Sequence, residues 1–357
     1  MFLTIMPRRG WPLRYRLGKN KYTQEGINPL LSIPPADRRR GQRNDAMHRP
    51  HCDKNAEAFL KTWPDTDEQE EEEIMAIRLA GKPVSDALQK EISDRIEVCK
   101  IRGVEPAMLL IRVGEREDDL SYERTILKRC EKLGIIVRQK VFPADCTQEE
   151  LTKCIREGNA DAAIHGIMMF RPLPKHLDEQ KVIRAIDYRK DIDSVTRLSM
   201  AGIYADDPKV FPPCTAEAVM RILDHYGIAL EGKRAVVVGR SQVIGKPAAM
   251  LLMKRNATVT VCHSRTRDLP GVIKNAEIVI AAIGRPEMLD GSYFSEGQTV
   301  IDVGIHFRED GSMCGDVKYD EVEPLAEAIT PVPGGVGSVT TSVLLEHIVR
   351  AAENVVE

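Results

Sequence analysis

Residues 235–247, AVVVGRSQVIGKP, constrain the fold more than any other stretch of the chain. Ala235-Val236-Val237-Val238 is a continuous apolar run, which reads as a strand buried on both faces of a parallel sheet. Gly239-Arg240-Ser241 follows at once, then Gly245, then a helix-forming run from Pro247 to Met253. Proline at a first helical position marks a helix start. Strand, tight turn and helix N-terminus together make an anion site, where main-chain N–H groups and the positive end of the helix dipole converge on a pyrophosphate. The spacing Gly-x-Ser-x-x-x-Gly departs from the usual Gly-x-Gly-x-x-Gly, so the motif alone is also compatible with an ordinary strand-to-helix turn.

The next segment separates these readings. Residues 257–264, ATVTVCHS, read as a second buried strand, placed where a dinucleotide fold ends its second strand. NAD sites put an acid there for the ribose 2′-hydroxyl. Here His263-Ser264-Arg265-Thr266 follows with no acid, and Arg240 lies in the preceding turn. Hydroxyl and guanidinium groups suit a 2′-phosphate, so the expectation is NADP rather than NAD.

A chain of 357 residues has room for two domains. A net charge of −3 gives no global attraction to nucleic acid or an anionic membrane. No apolar run approaches the roughly 18–20 residues of a membrane span. The 8 cysteines contain no Cys-x-x-Cys pair, which suits a reducing cytoplasm and unpaired thiols. No metal is expected: His48, His51 and Cys52 cluster, but no second ligand pair follows at zinc spacing.

Residues 1–74 differ from the rest. Arg8, Arg9, Arg14, Arg16 and Arg38-Arg39-Arg40 are mixed with Pro and Gly without periodicity. A targeting peptide would be Ser-rich, and Ser32 is the only serine there. Glu70-Glu71-Glu72-Glu73 stands just before Ile74 and Met75 and resembles a translated purine-rich ribosome-binding site. Met75 is therefore the expected start, with 1–74 either untranslated leader or a disordered segment.

From Met75 the elements alternate: helix 84–101, strand 107–113, helix 119–133 closed by Gly134, strand 135–141, helix 147–157 and strand 162–169. Such alternation implies a parallel sheet covered by helices, with ligands beyond the carboxyl ends of its strands. Those ends carry 114–122, 170–174 and 190–193.

SYERTILKRCEKLGI (121–135), RPLPKHLDEQKVIRAIDYRKDID (171–193), PPCTAEAV (212–219), VVVGRSQVIGKP (236–247), IDVGI (301–305) and TPVPGGVGSVTT (330–341) occur in one order. Together they resemble the methylenetetrahydrofolate dehydrogenase/cyclohydrolase family over about Met75 to Val349. The resemblance implies an α/β fold of two domains: a folate-binding catalytic domain at 75–215 and a Rossmann NADP-binding domain at 216–328. A folate-contacting loop and a returning helix would occupy 329–357, with 342–353 periodic enough for that helix. It further implies tetrahydrofolate as the one-carbon carrier, NADP as hydride acceptor and a homodimer formed through the Rossmann domain.

By that resemblance Asp193 grips the pterin, whose amino-amide edge can donate two parallel hydrogen bonds to a carboxylate. Tyr122 would pack on the folate, and Phe170, Arg171 and Pro333-Gly334-Gly335-Val336-Gly337 would contact it. Gly239, Arg240, Ser241, Gly245, Ser264, Arg265 and Ile305 would hold the nucleotide. The chain also departs from the pattern. The family's lysine one helical turn after the tyrosine is Ile126, and Lys128 lies about 200° further round the helix. The glutamine before Pro172 is replaced by Phe170 followed by Arg171, a serine by Asp119, the glycine after the pterin aspartate by Ser194, and Pro-Met by Ser338-Val339. Hydride transfer mainly needs positioning, whereas hydrolysis needs a titratable group, and an aliphatic side chain moves no proton. The expectation is a dehydrogenase with weak or absent cyclohydrolase. The alternatives are a fully bifunctional enzyme using Arg171 or Asp119, or a folate- and nucleotide-binding protein without catalysis.

Overall fold

The structure is a computed structural model and describes residues 76–355. The expectations for 1–74, and the start at Met75, lie outside the described residues. Strand β1 (Ile77–Arg78) and helix α1 (Gly81–Ile101) open the chain. There follow β2 (Ala107–Val113), α2 (Glu117–Leu133), β3 (Ile136–Phe142), α3 (Gln148–Ala160), β4 (Gly166–Met169) and α4 (Glu179–Ile183). β2 is wholly buried and pairs parallel with β3 on one side and β4 on the other. Its pleat divides the core: Met108 and Leu110 face a cluster shared with α1 and α2, while Leu109, Ile111 and Val113 face α3 and α4. Gly134 closes α2 in the left-handed conformation at φ 73°, as its sequence position predicts.

Helices α5 (Arg197–Tyr204) and α6 (Cys214–His225) lead into the second sheet. It contains β5 (Arg234–Val238), α7 (Gly245–Lys254), β6 (Thr258–Cys262), α8 (Leu269–Lys274), β7 (Ile278–Ala281) and β8 (Gln298–Asp302). A hairpin of β9 (His306–Phe307) and β10 (Met313–Cys314), α9 (Tyr319–Val322), β11 (Ala326–Ile329) and α10 (Gly337–Glu353) complete the chain. The strand order β1-β11-β8-β7-β5-β6 is parallel throughout and changes direction at β5. The carboxyl ends of β5 and β7 therefore form the crevice where such sheets bind ligands. Residues of α1, α6 and α10 join a single apolar cluster with both sheets.

Two expectations need correction. Residues 257–264 do not form a buried strand: β6 is the free edge of the sheet, and Thr258, Thr260 and Val261 are exposed. A β-branched run looks the same in a central strand and at an edge, because strand order is a tertiary property. Helix α7 begins at Gly245, two residues before Pro247, where the Ser241 hydroxyl of the preceding turn accepts the N–H groups of Ile244 and Gly245.

Candidate active site

The Asp193 turn is built by its neighbour. The fully buried Asp191 carboxylate accepts the N–H groups of Val195 (2.9 Å) and Thr196 (2.8 Å) and the hydroxyl of Ser199 (2.6 Å). This clamp closes a turn in which Ser194 takes φ 54°, a left-handed value that explains why a glycine would sit there more easily. Asp193 is left facing a cleft of about 410 Å³ between the two sheets. Burial raises its pKa, against the main-chain N–H of Cys214, which donates to Oδ1 at 3.0 Å.

Tyr122 of α2, Val336, Gly337 and Ile305 line the same cleft. Burial raises the Tyr122 phenol, so it stays protonated. The cleft also draws on residues not named as candidates: Cys214, Thr215, Ile244, Val303 and Thr340, which lie within the quoted motifs, and Met168 and Leu344, which lie outside them. Gly337, Thr340 and Leu344 follow helical spacing from the glycine loop, so periodicity could have found that stripe. Met168 carries no such signal in a strand buried on both faces.

Other expected residues lie around the cleft rather than in it. Phe170 is buried and meets Tyr122 edge-on, with ring centroids 6.1 Å apart. Arg171 donates from Nε (3.0 Å) and Nη2 (2.6 Å) to Oε1 of Glu179, whose Oε2 accepts the Leu173 N–H. Ile126 is fully buried in the core and Lys128 is exposed. Asp119 is buried one turn before Tyr122, and desolvation raises its pKa. Gly334 and Gly335 hold the glycine loop against α1: the Gly334 carbonyl accepts the Gly81 N–H at 2.7 Å, while Pro333 is exposed.

The turn after β5 shows why its glycines are needed. Gly239 has φ 143°, and a Cβ there would lie 2.1 Å from the Ala282 carbonyl oxygen; a Cβ on Gly245 would lie 2.3 Å from the Gly239 oxygen. The Ser241 hydroxyl oxygen accepts the N–H groups of Ile244 (3.1 Å) and Gly245 (3.3 Å). Arg240, Ser264 and Arg265 are exposed beyond the carboxyl ends of β5 and β6. A turn without side chains at its narrowest points, opening on a helix N-terminus and flanked by two guanidinium groups, fits a phosphorylated dinucleotide. Among the described residues no group of three or more His, Cys, Asp or Glu could hold a metal, and no helix is long and apolar enough to cross a membrane. The seven described cysteines are buried and free.

Two family models match this chain. Residues 79–193 match the catalytic domain of tetrahydrofolate dehydrogenase/cyclohydrolase, and residues 213–356 its NAD(P)-binding domain. The bifunctional protein FolD of Carboxydothermus hydrogenoformans is 53% identical over 281 residues, covering 78% of this chain and 98% of that protein. The structure of the bifunctional FolD from Campylobacter jejuni superposes with a TM-score of 0.76 at 36% identity, covering 78% of this chain and 99% of the other. The Trypanosoma brucei FolD, solved with NADP and an inhibitor, gives a TM-score of 0.74 at 34% identity, covering 79% and 99%. Fold, cleft and sequence agree, and the chain belongs to the tetrahydrofolate dehydrogenase/cyclohydrolase family.

Proposed function

We propose that this chain oxidises 5,10-methylenetetrahydrofolate to 5,10-methenyltetrahydrofolate with NADP and hydrolyses the product to 10-formyltetrahydrofolate in the same cleft. One observation carries this reading. Tyr122 of α2 and Asp193 of the turn before α5 share a single cleft with Ile244 of the nucleotide turn and Ile305 of the loop after β8. Asp193 pairs with the pterin's amino-amide edge, and Tyr122, braced by Phe170, packs on the folate. Gly239, Arg240, Ser241, Gly245, Ser264 and Arg265 hold the nucleotide, with the guanidinium groups on its 2′-phosphate. The nucleotide, when bound, supplies hydride acceptance, and the protein supplies alignment and exclusion of water. Residues 75–215 act as the folate domain, 216–328 as the NADP domain and 329–357 as the loop and helix that return to the first.

The second step takes up one water and releases one proton, so it needs a polar group. The expectation of weak or absent hydrolysis, drawn from Ile126, is not supported by the relatives: a protein 53% identical is named bifunctional, which favours both activities. Position 126 offers no proton here. Two polar groups beside the cleft are the candidates: Arg171, paired with Glu179, as a fixed cation that polarises, or Asp119, whose raised pKa suits proton transfer. Parallel assays of NADPH formation and methenyltetrahydrofolate hydrolysis on the purified protein test this. Both are expected, with hydrolysis cut at least about tenfold by Arg171→Ala or Asp119→Asn. NADPH formation with hydrolysis no faster than the spontaneous rate returns the reading to a dehydrogenase alone. Binding of both ligands without any NADPH points to a non-catalytic protein.

A homodimer through the nucleotide domain fits the exposed edge of β6. Beside it, Met200, Tyr204, Pro247, Met250 and Val261 line an apolar groove of about 330 Å³, and Tyr204 is 78% exposed. Light scattering at twice the chain mass, reduced to a monomer by Val261→Lys, tests it. Seven buried free thiols suit a cytoplasmic setting.

A further inference from the structure

His347 lies on α10, distant in sequence from the motifs of the first sheet, and is 1% exposed. Its Nδ1 is 2.8 Å from the main-chain oxygen of Ile192, the residue before Asp193. A carbonyl oxygen can only accept, so Nδ1 carries the proton. The Cys214 thiol reaches the same oxygen at 3.6 Å, while the Cys214 N–H holds the Asp193 carboxylate. The imidazole ring packs against Phe211 at 5.1 Å between centroids, and the Arg350 guanidinium lies 4.3 Å from the centre of the Phe211 ring. Burial and the Arg350 charge push the His347 pKa down to about 3, which keeps the ring neutral and its donor fixed at any working pH.

We propose that His347 is a positioning residue for Asp193, acting through the Ile192 carbonyl that its Nδ1–H holds. This rests on the folate role given to Asp193 above. The Ile192 oxygen sets the plane of the peptide bond that enters Asp193, and hence the direction of its side chain. Asp191 anchors the turn from the far side, through Val195, Thr196 and Ser199, and makes no bond to the Ile192–Asp193 peptide itself. Without His347 that peptide keeps only a weak, long thiol donor. The helix that begins in the glycine loop thus also orients the carboxylate across the cleft.

Three variants test the role. His347→Leu removes the donor, His347→Asn keeps an N–H at nearly the same place, and Phe211→Leu loosens the packing without touching the bond. With His347→Leu, KM for methylenetetrahydrofolate is expected to rise about tenfold, with KM for NADP within about twofold. With His347→Asn, folate KM is expected within about threefold of the unaltered protein. Phe211→Leu should lower Tm and leave folate KM within about twofold. An unchanged folate KM in His347→Leu overturns the proposal. So do equal losses in the Leu and Asn variants, parallel loss of NADP, or a folate defect in Phe211→Leu as large as in His347→Leu. If His347→Leu does not accumulate, His347→Gln, whose amide is one bond too long, carries the same expectation. Calorimetry with tetrahydrofolate reads the effect without turnover: absence of NADPH formation by the unaltered protein sinks the proposed function, whereas equal tetrahydrofolate affinity across the set sinks the positioning role.

Discussion

The main-chain N–H of Cys214 donates to Oδ1 of Asp193 at 3.0 Å, so the first residue of α6 fixes a carboxylate on the loop ahead of α5. This bond uses one acceptor site of Oδ1 and leaves the other, with Oδ2, for a ligand in the cleft. Asp193→Ala removes the pterin's partner while the nucleotide turn is untouched. Folate turnover should fall by about 100-fold or more, with NADP affinity by calorimetry within about twofold.

The same group gives a pH dependence with a definite sign. Burial raises the Asp193 pKa above the ordinary carboxylate value, and only the anion accepts two hydrogen bonds from the pterin edge. Folate KM should therefore be flat at neutral pH and rise on acidification, starting above the pH at which a solvated aspartate titrates. A profile of KM against pH reads this directly; Asp193→Asn should flatten it.

Gly239 has no room for a side chain. A Cβ would lie 2.1 Å from the Ala282 oxygen, and φ 143° is open to glycine almost alone. Gly239→Ala should cost roughly 2–4 kcal/mol of stability, at the top of the usual range for one substitution. Thermal unfolding measures that cost, and NADP affinity should drop with it because β5 and β7 must separate.

Arg240 stands exposed at the rim of the same turn. Loss of a charge-assisted phosphate pair of about 1.5–3 kcal/mol predicts that Arg240→Ala raises KM for NADP roughly 10- to 100-fold. KM for NAD should move little. Equal losses for the two nucleotides would place Arg240 elsewhere than on the 2′-phosphate.

Ser194 holds φ 54°, and its buried hydroxyl finds no partner among the described residues. A left-handed L-residue costs about 1–2 kcal/mol, which exceeds the extra chain entropy of glycine, about 0.5–1 kcal/mol. Ser194→Gly should raise Tm by about 2 °C, with catalysis kept.

Local pattern carried much of the fold. The apolar run at β5, the glycine at the end of α2 and the alternation from α1 to β4 depend on neighbours in sequence, and these elements formed close to their expected bounds except the strand expected at 162–169, of which only Gly166–Met169 pairs. Tyr122, Asp193, Val336 and Gly337, expected from their motifs, do line one cleft. His347 was not legible: a histidine inside an apolar helix looks like any satisfied core residue, and its partner, Ile192, is fixed only by packing α10 against the first sheet. The edge position of β6 and the divided roles of Asp191 and Asp193 were hidden for the same reason.

What the residues determined by themselves was α/β class, the nucleotide turn, the folate motif and the apolar replacement at Ile126, because these rest on backbone conformation and side-chain chemistry along the chain. Only the tertiary structure decided which strand is the sheet's edge, which carboxylate clamps and which one faces the cleft, and that α10 reaches back to hold the Asp193 peptide. Those depend on contacts between segments distant in sequence, whose energies no local pattern records.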